Sequence, residues 1–212
     1  THVARLRRSR EGLVGLNAGP AHDPVGVARL VAAAFEKLGT RYLLGGSMAS
    51  TTFGEPRTTR DVDFVADLEP ESVSPLLVEL EPDFDGNREW ITAETRRRGS
   101  FQLVHRATFI RVDVFVPPWT GVHLWKWQQR RRVVLDPKDG TAIDVTSPEG
   151  IVIQKLVWFR ETGGMSERQW RDVLGVLKYQ ARTIDVRVMR NWSRELGLET
   201  LLDAALHDAG LP

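Results

Sequence analysis

The chain has no cysteine among its 212 residues. That excludes disulfides, thiolate zinc sites and cysteine nucleophiles. The lack fits a reducing compartment, and a cytoplasmic location is the expectation. No apolar run approaches the roughly 20 residues of a membrane-spanning helix, so no membrane partner is expected. The arginine-rich start has no apolar segment behind it and does not read as a secretory signal. Histidine is sparse: His2, His22, His105, His123 and His207 form no i, i+4 pair suited to zinc. Any metal is therefore expected to be a hard cation on oxygen ligands. Net charge is nearly absent as well, at +1, so charge alone announces no nucleic-acid partner. Against that neutrality stand three arginine clusters: Arg5, Arg7, Arg8 and Arg10; Arg96, Arg97 and Arg98; Arg130, Arg131 and Arg132. Such clusters are either solvated surface or phosphate contacts.

What is present suffices for a folded core, with 42% hydrophobic and 27% charged residues. Asp23, Pro24 and Gly39 bracket an apolar pattern of helical spacing. A short apolar strand at 42–44 runs into Gly45-Gly46-Ser47, and a second strand is expected at 61–66. Helices are expected at 76–80 and around 90–98. Strands are expected at 101–105 and 109–116, as antiparallel neighbours, the second stopped by Pro117-Pro118. The stretch 119–145 reads as mixed, with short strands at 132–135 and 142–145. From Ser147, a capping residue followed by Pro148, the pattern turns helical. The fold class is thus α+β: a small mixed β-sheet core with flanking helices, followed by a helical C-terminal subdomain. The expected division is a basic segment at 1–20, a core at 21–146 and a helical subdomain at 147–212.

Asp61 and Asp63 are two apart on a strand, so their carboxylates share one face while Val62 and Phe64 face the core. Like charges held this close repel unless solvated or bridged by a cation. Asp113 lies in an otherwise apolar strand, on the face opposite Val112 and Val114. If that strand neighbours 61–66, three carboxylates converge as a cage for two divalent ions; the alternative for Asp113 is an ion pair with Arg111. The glycine turn lets backbone approach a ligand, and a helix starting at Ser47 would favour a phosphate. Trp125, Lys126 and Trp127 offer either an aromatic-basic platform for a base or core packing.

In order and spacing, Gly45-Gly46-Ser47, then Arg57-Thr58-Thr59-Arg60, then Asp61-Val62-Asp63 and a later Asp113 resemble the polymerase-β-like nucleotidyltransferase superfamily. The Arg57, Thr59, Asp61, Asp63 spacing, with Lys155-Leu156, Arg160 and Arg171-Asp172 downstream, is most similar to the minimal, AbiE-type toxin-like nucleotidyltransferases. The resemblance covers roughly 43–177. It implies catalytic and metal-binding roles for Asp61, Asp63 and Asp113. It implies a nucleotide-binding set of Gly45, Gly46, Ser47, Arg60 and Lys155. It also implies two Mg2+ ions, with Mn2+ able to substitute, and a nucleoside triphosphate as donor. The implied acceptor is macromolecular, an RNA or transfer-RNA end or a protein, and the implied partner is a cognate antitoxin or toxin. Two other readings stay open. One is an antibiotic-modifying enzyme, whose cationic drug would want an acidic pocket such as the Glu69, Glu71, Glu79, Glu81, Asp83 and Asp85 stretch supplies. The other is a non-catalytic nucleotide- or partner-binding protein.

Overall fold

The computed structural model describes residues 21 and 23–212. The 1–20 segment, with its Arg5, Arg7, Arg8 and Arg10 cluster, and His22 lie outside the described residues. The first helix, α1 (Pro24–Lys37), starts where expected: the Asp23 side chain accepts from the Gly26 N–H at 2.8 Å. Its buried stripe of Val27, Val31 and Phe35 packs on the sheet, where the Phe35 and Tyr42 rings each lie 5.7 Å from Phe64.

The chain continues through β1 (Tyr42–Leu44), α2 (Gly46–Phe53) and β2 (Asp61–Ala66). Next come a 3-10 turn (Pro70–Ser72), α3 (Val73–Leu80), β3 (Phe84–Asp85), α4 (Arg88–Arg96), β4 (Ser100–His105) and β5 (Arg111–Phe115). An α5 helix (Gly121–Gln128) stands where the sequence reads as mixed, before β6 (Arg131–Val134) and β7 (Ala142–Val145). The rest is helical: α6 (Pro148–Glu161), α7 (Glu167–Tyr179), α8 (Val186–Leu196) and α9 (Glu199–Ala209). Among the described residues no helix is long and apolar enough to cross a membrane.

The strands form one seven-stranded mixed sheet in the order β3-β4-β5-β2-β1-β7-β6. β2 pairs antiparallel with β1 and parallel with β5, and β4 pairs antiparallel with β5 as the sequence implies. The second of those strands is shorter than 109–116. Phe109 is exposed with φ 56, and this left-handed turn residue delays the strand to Arg111. Along β2 burial alternates: Val62, Phe64 and Ala66 are buried, while Asp61, Asp63 and Val65 show the other face. That second face is roofed by α6, whose Trp158 lies 6.1 Å from Phe115 of β5. Ser147 caps α6, its hydroxyl accepting from the Gly150 N–H at 3.3 Å.

The end of α2 meets α7 backbone to backbone. A methyl group built on Gly54 would stand 2.9 Å from the Val176 nitrogen, and one on Gly175 would stand 3.2 Å from the Glu55 nitrogen. The Gln180 side chain adds a 2.8 Å hydrogen bond to the Phe53 carbonyl at the same corner.

Candidate active site

The β2–β5 register sets Asp63 directly across from Asp113, and Asp61 across from Arg111. In parallel strands such partners point to the same side of the sheet, so the carboxylates of Asp63 and Asp113 are neighbours. Burial first, and then the charge of Asp113, push the Asp63 carboxyl above its ordinary range, with Lys155 opposing. Asp113 accepts a 2.8 Å hydrogen bond from Gln102 on β4, and Asp61 pairs with Arg111 at 3.0 Å. The alternative ion pair between Asp113 and Arg111 is therefore not made. In this register Arg111 lies beside Asp61 instead. Among the described residues no three acidic or histidine side chains are gathered as a ready-made metal cage. The donor set is nonetheless all carboxylate oxygen, the chemistry that suits a hard divalent cation.

The glycine turn is folded onto this carboxylate pair. The Gly45 N–H donates to the Asp63 carbonyl at 2.8 Å. Gly46 has φ 55, and a Cβ there would fall 1.8 Å from Asp63 Oδ2, so both the backbone angle and the space demand glycine. The helix begins at Gly46, one residue earlier than expected, and the Ser47 N–H donates to the Asp63 carboxylate.

Beyond Ser47 lies a cluster of cationic groups. Its hydroxyl accepts from Arg57 at 2.6 Å and from Arg168 at 3.1 Å. Arg57 also makes a two-pronged pair with Asp172, both contacts at 2.9 Å, and Lys155 reaches the same carboxylate at 2.9 Å. Burial alone would raise Asp172, but the Arg57 hydrogen bonds and the Lys155 charge outweigh it and hold the carboxyl below its ordinary range. Asp172 thus pairs across the fold with Arg57 and Lys155, not with Arg168 or Arg171 on its own helix. Arg60 stays exposed on the loop before β2.

A cavity of about 330 Å³ opens from the turn. Gly45, Gly46, Asp63 and Lys155 line one part of it. Phe115, Pro117, Ile151 and Trp158 supply apolar wall, and Arg98, His123, Lys126, Thr146 and Gln154 supply polar groups. Asp63 is its one carboxylate. The acidic stretch does not reach it: Glu69 pairs with Arg98, Glu79 with Lys37 and Asp85 with Arg106. Members of two arginine clusters are likewise paired within the chain. Arg97 pairs with Glu94, Arg130 with Asp144, and Arg132 with Glu36. The Trp125-Lys126-Trp127 triplet forms no exposed platform. Trp125 packs on Trp192, Trp127 on Trp119 and under Arg130, and Lys126 is buried.

Gln102 and Arg168 were not foreseen as parts of the site, and Arg111 was foreseen only as an alternative partner for Asp113. Arg168 is 121 residues from Ser47, and no local pattern carries that contact. Lys126 was foreseen with its two tryptophans either as a platform for a base or as core packing, and it lies buried in the cavity wall.

No protein-family model matches the sequence, and no curated protein matches it either. Solved structures do. The architecture is a nucleotidyltransferase-like fold. An antigenic nucleotidyltransferase-like protein from Paracoccidioides brasiliensis aligns with TM-score 0.52 and 17% identity, over 87% of this chain and 92% of its own. The antibiotic-resistance factor ANT(2'')-Ia aligns with TM-score 0.52 and 14% identity, over 87% of this chain and 97% of its own.

Proposed function

We propose that the chain is a divalent-metal-dependent nucleotidyltransferase, moving a nucleoside monophosphate from a nucleoside triphosphate to a hydroxyl of a macromolecular acceptor. The observation that carries this is the Asp63–Asp113 register beneath Gly46, which sets two carboxylates side by side against a backbone that only glycine can form. In this reading 21–146 is the catalytic core, and 147–212 is a helical subdomain that supplies Lys155 and Arg168. Asp61, Asp63 and Asp113 would hold two Mg2+ ions, with Mn2+ able to substitute. When bound, these ions offset charge on the attacking and leaving oxygens. Gly45, Gly46 and Ser47 offer the triphosphate a close backbone approach, with Arg57, Arg168 and Lys155 as its cationic flank. Arg60 is exposed beside them and free to swing toward phosphate. The acceptor oxygen bonds to the α-phosphorus as the bond to the bridging oxygen breaks. Pyrophosphate leaves, and the cations stabilise the charge that moves onto it.

Asp61 and Arg111, with side chains 36% and 57% exposed, lie at the open rim. A bulky acceptor such as an RNA end or a protein side chain reaches the carboxylates from there. The resemblance implies a toxin with a cognate antitoxin in a cytoplasmic setting. The fold shared with ANT(2'')-Ia supports a second reading, a small antibiotic acceptor. Against a polycationic drug stands the cavity, where Asp63 is the one carboxylate and Lys126 a cation with no ion pair among the described residues.

The test is label transfer from each α-labelled nucleoside triphosphate with Mg2+ and total transfer RNA. The intact protein is expected to label RNA or itself, and an Asp61→Ala, Asp63→Ala variant nothing. Transfer by the variant would sink the mechanism, and label on an added antibiotic alone would select the second reading.

A further inference from the structure

The deepest polar group of the cavity is a cation that no carboxylate neutralises. Lys126 is 2% exposed. Its Nζ donates to Gln154 Oε1 at 2.6 Å, and among the described residues it has no ion pair. An ammonium carries three donors, so two remain for a ligand. Beside it His123 has a buried Nδ1 with no partner among the described residues. Burial and the Lys126 charge push this imidazole down to about 4, which keeps it neutral. A neutral imidazole has one acceptor nitrogen.

The lysine is admitted by a glycine. A Cβ on Gly150 would lie 3.1 Å from Lys126 Cγ and 2.8 Å from the Thr146 methyl. Thr146 in turn adjoins the glycine turn, its hydroxyl 4.0 Å from a Cβ built on Gly45. One threonine therefore separates the proposed phosphate end from the buried lysine. Phe115, Pro117, Ile151 and Trp158 make the rest of that wall apolar. A largely apolar seat lined by one donor and one acceptor suits a nucleobase better than a further phosphate, which would want several cations and backbone amides together.

From this geometry we infer that Lys126 and His123 read the base of the bound nucleotide and select a lactam edge, the C=O beside an N–H of guanine or uracil. Lys126 donates to the keto oxygen, and the His123 imidazole, in the tautomer that turns its bare nitrogen to the cavity, accepts from the ring N–H. Adenine and cytosine present the reverse, an exocyclic amine beside a bare ring nitrogen. They would leave the lysine facing a donor and both buried groups unsatisfied, the situation that yields strong discrimination. The inference rests on the nucleotidyltransferase reading, since it takes the cavity as the donor's seat.

Calorimetric titration of the full chain with the Mg2+ complexes of GTP, UTP, ATP and CTP, and with inorganic triphosphate, tests it. GTP and UTP are expected to bind at least roughly tenfold tighter than ATP and CTP, as a hydrogen bond to a charged group implies. Lys126→Met, similar in volume, should level the four while leaving inorganic triphosphate unchanged. ATP binding as tightly as GTP would overturn the inference and leave the enzyme reading standing. So would a variant that loses inorganic triphosphate in equal measure, because Lys126 would then be a phosphate contact. If no triphosphate binds the intact protein, both readings fall together.

Discussion

At the scale of single residues, Lys126 is a buried cation with no ion pair among the described residues. Burial pushes its ammonium from 10.5 down to about 8. A cation depressed in this way opposes folding when charged. Below about 8 the full cost is present, and it is relieved as pH rises from there toward the unfolded value. The cost is on the order of 3 kcal/mol. Lys126→Met is therefore expected to stabilise the chain at pH 7, by up to that amount, and to remove the rise in stability between pH 8 and 10. Urea melts of both proteins at the two pH values check this, and a destabilised variant would contradict the burial argument. The spacing of Asp61 and Asp63 on one strand face was legible in the sequence, because strand periodicity fixes it locally. The Arg111 partner was not, because cross-strand register is set by the whole sheet.

At the scale of elements, one buried carboxylate of α7 gathers cations from two other segments. Asp172 holds Arg57 from the loop before β2 and Lys155 from α6, with side chains only 5%, 18% and 3% exposed. Asp172→Asn leaves those cations without their anion. It is expected to cost roughly 3–5 kcal/mol, the usual penalty for breaking a buried pair from one side. The measurement is denaturant unfolding; a loss below about 1 kcal/mol would mean that the network is solvated after all. Elements bounded by local chemistry were readable: Asp23, Ser147 and Ser166 cap α1, α6 and α7 as their positions suggest. The α5 helix was not readable, because its tryptophans alternate around Lys126 rather than forming a stripe at helical spacing. Strand β3, two residues long, is too short for any period to show.

At the scale of the whole molecule, sheet and helical third meet across the cavity, so a ligand bridging them should stabilise both. Mg2+ with its preferred nucleoside triphosphate, at about a hundredfold excess over the dissociation constant, is expected to add roughly 2.7 kcal/mol. For a chain of this size that is a rise of roughly 5–10 °C in melting temperature. Asp63→Asn should abolish the rise; if it persists, the ligand binds away from the carboxylates. The sheet architecture and the helical close were foreseeable from the order of apolar patterns. The cavity was not, since its walls come from strands, turn and helices far apart in the chain.

The corner where Gly54 faces Gly175 bears on how such a cleft can breathe. With main chains in contact and no side chains between them, α2 and α7 have nothing to slide on and no gap to close. The grip around Ser47 is therefore a fixed jaw. On the proposed function, entry and exit of a ligand would fall to the opposite wall, where α5 carries Lys126 and leans on paired tryptophans. On that reading, variation in this wall would retune what is admitted without disturbing the proposed phosphate grip.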